Sequence, residues 1–480
     1  MSTKQKWLCL SLLGIGILLA SCAAPASAPT TAAPATTAPS GAATARPAAG
    51  ITVPSVEDGY AGPALTTEPV TLRILRYQMG PPQEALLKQW MTEFTAAHPN
   101  ITFQDEPVPF GDLFTKIQAS VAAGDPPDLY FYDGPFTKAY AYHNILLPVD
   151  QYMTQAFKDD YVPATLAEHS YQGKIYGMPE QQSAVALGYN EDMVKAAGLN
   201  PPQELGKGWT WDQALDAWKK LQQDPSGSGN PTVWGLAPSQ FGAGGAGFYY
   251  RDGIFPRSAG DPKAAKDSSA YKTWAALSDD GSTVKGYIDS QEAIDAMQWF
   301  QDLTMKWAVT PKVGIPNAFL DRKAATSLET DYLIGNVKTT FPNGDFHLGW
   351  TPVPYFKTPV TMTGSITYGV GAKTKHPAEA AAFAIYISDV KNNARLWEIN
   401  QTLPAQLSLF KSIKAYSEYP YKLFADELVQ IGVPRPSTPG WQEYEAIIDP
   451  AIKDISLGAP VADTLHRAAD QIDAQLAKYK

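Results

Sequence analysis

Beyond position 22 this 480-residue chain has no cysteine; its two, Cys9 and Cys22, both stand near the amino terminus. The body therefore holds no disulfide framework and no cysteine-based metal cluster. Histidine is nearly as scarce, and the six present (His98, His143, His169, His347, His376 and His466) are dispersed. No H-E-x-x-H and no G-x-S-x-G accompanies them, so metal-assisted and serine-nucleophile hydrolysis lack support, and no cofactor or metal is expected. No apolar run after Ala20 is long enough to span a bilayer. Positive charge is in deficit too, with 38 Lys and Arg against 48 Asp and Glu and a net charge of −10. That balance argues against nucleic acid as a partner, since nucleic acid selects clustered basic side chains.

What the first 65 residues do contain is a leader and a tether. Met1–Trp7 carries Lys4 and Lys6, Leu8–Ala20 is apolar but short, and Leu19-Ala20-Ser21-Cys22 resembles the bacterial lipobox. Residues 1–21 are expected to leave as a lipoprotein signal peptide, so that lipidated Cys22 anchors an extracytoplasmic protein to the cell membrane. A plain secretory leader is the competing reading. From Ala23 to Gly50 only Ala, Pro, Ser, Thr and Gly occur, apart from Arg46, and such a stretch builds no core. Residues 22–65 therefore read as a disordered tether, with a root-mean-square reach of about 35 to 40 Å.

With 44% hydrophobic residues, the rest of the chain can form sizeable cores. Val70–Tyr77 alternates Val70, Leu72 and Ile74 as a strand does. A helix is expected from about 83 to 97, with Leu86, Trp90 or Met91, and Phe94 inward, stopped by His98-Pro99-Asn100. A strand over 101–107, a helix over 112–123 and a strand after Asp128 complete a βαβαβ rhythm, which predicts a mainly parallel sheet covered on both faces. Ligands of such sheets sit beyond the carboxyl ends of the strands, which directs Tyr77-Gln78 and Tyr132-Asp133 toward a cleft. Thr210-Trp211-Asp212-Gln213 has the form of a capping box, and Trp211, Leu215, Trp218 and Leu221 behind it make an apolar stripe.

Several motifs then agree in order along the chain: AAGDPPD at Ala122–Asp128, and GKIYGMP at Gly173–Pro179. Tyr189-Asn190 and Ala197-Gly198-Leu199 follow, then Trp350–Pro354 with GSITYGVG at Gly364–Gly371, and Leu403-Pro404-Ala405. Together they resemble the extracellular solute-binding proteins of ABC importers, in the sugar-type branch that includes maltose-binding protein, over roughly Val70 to Lys480. The resemblance implies an α/β, periplasmic-binding-protein-like fold of two α/β lobes joined by a three-segment hinge. The first lobe would comprise 66–183 plus 360–402, and the second 184–359 plus 403–480. It further implies a monomer that is not an enzyme, captures carbohydrate between its lobes and hands it to the transmembrane subunits of a permease. Asp321–Asn336 departs from the family pattern, with Tyr332 where tryptophan is usual.

The 12 Trp, 24 Tyr and 18 Phe suit such a ligand, because sugar rings rest their C–H faces on aromatic planes while hydroxyls take amide and carboxylate partners. The candidate ligand-binding residues are Gln78, Asp133, Gln181, Gln182, Trp234, Tyr249, Tyr250, Glu329, Asp331, Tyr332 and Tyr368. Trp234 and Tyr332 read equally as core. Tyr249 and Tyr250 read equally as capping the glycine loop Phe241–Gly247. The formal G-x-G-x-x-G of that loop has Pro238 before it and no expected helix after it, so it is read as a flexible loop and not a dinucleotide site. Asp224–Asn230 alternates oxygen-bearing residues as calcium loops do. It has Gly235 where the closing glutamate belongs and is read as a solvated turn. If Arg76 and Arg251 both lined the cleft, an anionic solute such as a polyol phosphate would fit; a peptide is a further alternative. Carboxylate pairs, Glu180 with Asp133 or Glu329 with Asp331, keep a lipid-anchored glycan hydrolase open as a reading of another class.

Overall fold

In a computed structural model of the chain, residues 58–238 and 248–479 are described, except for the side chains of Phe248 and Tyr249. Cys22, the leader and most of the expected tether lie outside the described residues, as does the glycine loop Phe241–Gly247.

The body starts as its apolar rhythm predicts. Val70–Tyr77 pairs in parallel with Ile101–Val108 along its whole length, and with Leu129–Asp133 at Ile74 and Leu75. Between the first two strands, Pro81–Ala97 begins with proline, whose missing N–H is no loss in a first turn, and lays Leu86, Leu87, Trp90 and Phe94 on the sheet. Thr361–Val370 then joins antiparallel to Leu129–Asp133, with Ile366 opposite Asp133 and Val370 opposite Leu129.

One strand ties the molecule together. Met178–Asn190 is 13 residues long and buried throughout. Its first half pairs with Thr361–Val370 in this sheet. Its second half pairs with Ala324–Thr330 and Leu348–Thr351 in a second sheet, to which Trp234–Leu236 adds in parallel. Leu403–Pro404 lies against Gln182 and Gln181 of the same strand. Two sheets, each dressed with helices, are thus two α/β lobes, and the chain passes between them at Ala184–Val185, just beyond Gln181 and Gln182.

Local chemistry explains the second lobe's edges. The Thr210 hydroxyl accepts from the Gln213 amide while the Gln213 side chain accepts from the Thr210 amide, a complete capping box for Trp211–Leu221. That helix buries Trp211 against Phe255, ring centroids 4.1 Å apart, and Trp211 donates to Ser258 Oγ at 3.0 Å. The sequence was expected to carry no helix after the glycine loop, and here the structure differs: Phe248–Asp252 and Ile254–Ala259 are both helical. Segments of five and six residues are too short for an apolar period to register, and burial of Tyr250, Ile254 and Phe255 holds them.

Apolar packing divides the same way. One cluster joins Leu72, Phe94, Phe131 and the helix Pro377–Ile387, and another gathers Trp350, Phe424 and Leu333. A third runs unbroken from Tyr132 and Phe136 through Val185 and Tyr250 to Trp211 and Trp441, so apolar contact crosses between the lobes on one side. No helix among the described residues is long and apolar enough to cross a membrane.

Candidate functional site

Where the strands cross, a cavity of about 290 Å³ opens. Tyr77 and Phe110 wall it from the first lobe, and Tyr250 and Tyr332 from the second. Its back is the polar run Gln181, Gln182 and Ser183 on the crossing strand, with Gly364, Ser365 and Ile366 on the returning one. A larger hollow of about 470 Å³ lies inside the second lobe among Leu236, Phe255, Phe300 and Leu328. It shares only Arg251 with the first, is reached by none of the crossing strands' polar side chains, and borders residues outside the described set. The smaller cavity, between the lobes and lined by convergent polar groups, is the candidate site.

Its polar side chains are arranged in two ways. Gln181 is fully engaged: its amide donates to Tyr332 Oη, and its Oε1 accepts from Asn400 at 3.2 Å and Thr402 at 3.0 Å. Gln182, with no exposed surface, makes no hydrogen bond of ordinary length through either amide atom among the described residues. A buried amide left so costs free energy on the order of 1–3 kcal/mol, which a hydrogen-bonding solute would recover. Ser183 Oγ lies 2.5 Å from Tyr250 Oη, holding that ring against the cavity.

The charges are balanced. Arg435 grips Asp133 bidentately at 2.8 and 2.5 Å and lies 5.1 Å over the Tyr250 ring. Burial raises the Asp133 pKa, opposed by the Arg435 guanidinium, and because both Asp133 oxygens accept from that cation the geometry is that of a carboxylate. Arg251 pairs with Glu329 at 2.8 Å, and Ser327 holds the other oxygen of that carboxylate at 2.8 Å. Arg76, by contrast, points into the first lobe, where Asp105 and Glu84 each take two of its hydrogen bonds at 2.6 to 2.7 Å. The two arginines that would have admitted an anion therefore do not meet.

Of the candidates, Asp133, Gln181, Gln182, Tyr250 and Tyr332 come together around the cavity. Glu329 stands just behind, through Arg251. Gln78 does not join them: it is exposed, and Tyr77 turns inward in its place. Successive strand residues face opposite sides, so only one of each expected pair can line a cleft, and likewise Asp133 does while Tyr132 is core. Tyr368 is fully buried in the first lobe, bonded to Glu180 and edge-on to Phe131 at 4.3 Å; a bulge after Ile366 separates it from Ser365, which lines the cavity instead. Asp331 accepts from the Leu403 amide at 2.8 Å and braces the third crossing, with burial pushing its pKa up to about 7. Trp234 is half-buried against the Trp350 cluster, away from the cavity. The backbone of Tyr249 is helical, but its side chain lies outside the described residues. The two carboxylate pairs are not poised for hydrolysis, since only Asp133 of the four lines the cavity and it is held by Arg435. The residues the sequence did not single out are Phe110, Ser183, Ser365 and Arg435. Arg435 sits in the run VPRPSTPG, where no periodicity signals which way a side chain turns.

Comparison with known proteins agrees with this geometry. A galactooligosaccharide-binding protein of Bacillus subtilis is 22% identical over 323 residues, 66% of this chain and 69% of that protein. The solute-binding protein of a Thermotoga lettingae ABC transporter, solved with α-D-tagatose, superposes with a TM-score of 0.68 at 20% identity, covering 85% of this chain and 99% of that one. A cyclic α-maltosyl-1,6-maltose binding protein of Arthrobacter globiformis gives 0.69 at 20% identity, over 85% and 100%. At such identity these structures establish the two-lobed, periplasmic-binding-protein-like fold. The model of the bacterial extracellular solute-binding proteins matches residues 80–394, most of the described body, and the chain belongs to that family.

Proposed function

We propose that this protein captures a neutral sugar or short oligosaccharide in the cavity between its lobes and delivers it, unchanged, to the permease of an ABC importer. The observation that carries this reading is a cavity with aromatic walls from both lobes, an unpartnered buried amide at its back, and two arginines each neutralised by a carboxylate. Aromatic planes suit sugar C–H faces, the amide suits a pair of hydroxyls, and balanced charge disfavours an anion. The relatives named above, whose own ligands are sugars, support it. In this reading residues 66–183 with 360–402 and 184–359 with 403–480 move as two lobes about the three crossings, and the sugar stabilises the closed arrangement. Lipid on Cys22 and a tether shorter than expected from the sequence, because Asp58 pairs with Lys391 and Tyr60 bridges Met153 on the first lobe, keep the monomer at the membrane within reach of its permease.

A thermal-shift panel tests it: D-tagatose, maltose, maltotriose, galactobiose and arabinotriose against glycerol 3-phosphate, D-glucuronate and tripeptides. A narrow group of neutral sugars should raise the melting temperature, since ligand at a hundredfold its Kd stabilises by about 2.7 kcal/mol. A shift with the phosphate, the uronate or peptides alone, or shortened sugars after incubation, would reverse the reading.

A further inference from the structure

Under the cavity floor, Glu168 and His169, at the end of the helix Pro163–Glu168, meet Ser365 of the returning strand, and all three are buried. Ser365 Oγ is 2.6 Å from Glu168 Oε2 and 3.1 Å from His169 Nε2, while His169 Nδ1 is 2.7 Å from the carbonyl oxygen of Thr165. A carbonyl only accepts, so Nδ1 carries the ring proton. Burial pushes the imidazole pKa down to about 4, so at neutral pH Nε2 is bare and can only accept. Ser365 has a single proton to offer. Were Glu168 ionised, its Oε2 and His169 Nε2 would compete for that proton, and one would stay buried without a donor. With Glu168 protonated, the bonds run one way: Glu168 Oε2–H to Ser365 Oγ, Ser365 Oγ–H to His169 Nε2, His169 Nδ1–H to Thr165 O. Every polar atom on that path is then satisfied, and the one left without a partner among the described residues is the Glu168 carbonyl oxygen Oε1, which is cheaper to strand on a neutral acid than on a carboxylate.

We propose that Glu168 is held as a neutral carboxylic acid beneath the cavity, that it positions the Ser365 hydroxyl through this chain, and that a neutral sugar binds the protonated form more tightly. The last clause rests on the function proposed above; the first two do not. The surroundings agree. Burial pushes the Glu168 carboxyl up to about 7, opposed by the Arg435 charge and by the Ser365 hydroxyl. The other titratable groups near it are Asp133, itself paired with Arg435, Tyr132 of the same strand, and Lys138 on Thr137–Tyr142, whose amine burial lowers. None supplies a free cation against the carboxyl: Arg435 is bidentate to Asp133, and the Lys138 ammonium donates to Ser437 O at 3.1 Å. Gln182 and Ser365 are the wall between Glu168 and cavity water. A solute filling the cavity displaces that water and makes ionisation harder, so by linkage affinity falls as pH rises through the Glu168 pKa.

The test uses the full chain and Glu168→Gln, whose amide donates as the acid does. Infrared difference spectra across about pH 6 to pH 9, taken as wild type minus variant so that the carboxyls common to both cancel, should show one protonated-carboxyl C=O band that bleaches near neutrality. Identical spectra overturn the proposal. Calorimetry with the panel sugar giving the largest melting shift should show wild-type affinity weakening roughly three- to tenfold over that range, tenfold being one unit of pKa change on binding, with a flat profile for the variant. Equal slopes overturn the coupling. A panel with no shifting sugar counts against the proposed function itself, and the infrared spectra alone then decide the protonation.

Discussion

Arg76 in the first lobe and Gln182 at the crossing are both buried polar side chains, and the protein treats them in opposite ways. Arg76 meets two carboxylates through four short bonds and a fifth to the Tyr77 carbonyl at 3.0 Å. Gln182 is left with neither donor nor acceptor matched among the described residues. The first arrangement fixes how the helix Pro81–Ala97 sits on its sheet. The second leaves hydrogen-bonding capacity idle in a place that a solute can reach. Full satisfaction marks structure here, and idle capacity in a shaped cavity marks the candidate site.

The largest effect that can test this contrast comes from pH, because several buried carboxyls share the unsatisfied region and its borders. Burial pushes Glu168 and Asp331 up to about 7 and Glu180 and Glu445 up to about 8. Folded, these groups keep protons that the unfolded chain sheds near pH 4, so stability from this source is complete below that and is lost as pH rises through about 7 to 8. Melting temperature should therefore decline from about pH 5 to about pH 9, and Glu180→Gln should make the decline shallower. A rise over that interval would contradict the assignment of these groups as buried acids.

Next in size, Arg435→Met strands the Asp133 charge in the interior and should cost about 3–5 kcal/mol in chemical denaturation, together with sugar binding. Arg76→Met should destabilise less, since Glu84 and Asp105 keep 21% and 22% exposure, and should spare sugar affinity in the folded fraction. Should Arg76→Met abolish binding instead, the division between structural and binding charges fails. Smaller again, Gln182→Leu should weaken sugar binding roughly ten- to a hundredfold while leaving the unliganded protein as stable or more so. Gln181→Leu, which removes three bonds, should lower stability even without sugar. The smallest effect is a control: Thr210→Ala deletes a cap and should cost about 1 kcal/mol with no change in binding.

Much of the scaffold is legible locally, and the reasons are local too. The stripe of Leu86, Trp90 and Phe94 and the capping box at Thr210 need only nearby residues to be recognised. Gln181 and Gln182 are legible because they follow GKIYGMP at the start of a long apolar strand. Choosing between neighbours is harder, as Gln78 and Tyr77 show: strand parity has to be known to the residue, and the loop after Tyr77 hides it. Tyr368 is misplaced for a related reason, since the bulge after Ile366 is a feature of pairing with Met178–Asn190 and not of the segment's own sequence. Arg435 is legible least, because its role depends on Asp133, 302 positions away. The departure at Tyr332 turns out to matter little to the geometry: a half-exposed tyrosine stands on the cavity wall and Gln181 holds its hydroxyl.

Equilibrium dialysis of the wild type and Gln182→Leu against a mixture of the panel sugars, with mass analysis of what each retains, addresses the central claim most directly. The wild type should retain a narrow set of neutral sugars and give them back at their original masses, and the variant should retain almost none. Retention undiminished in the variant, or sugars returned shortened, would contradict it.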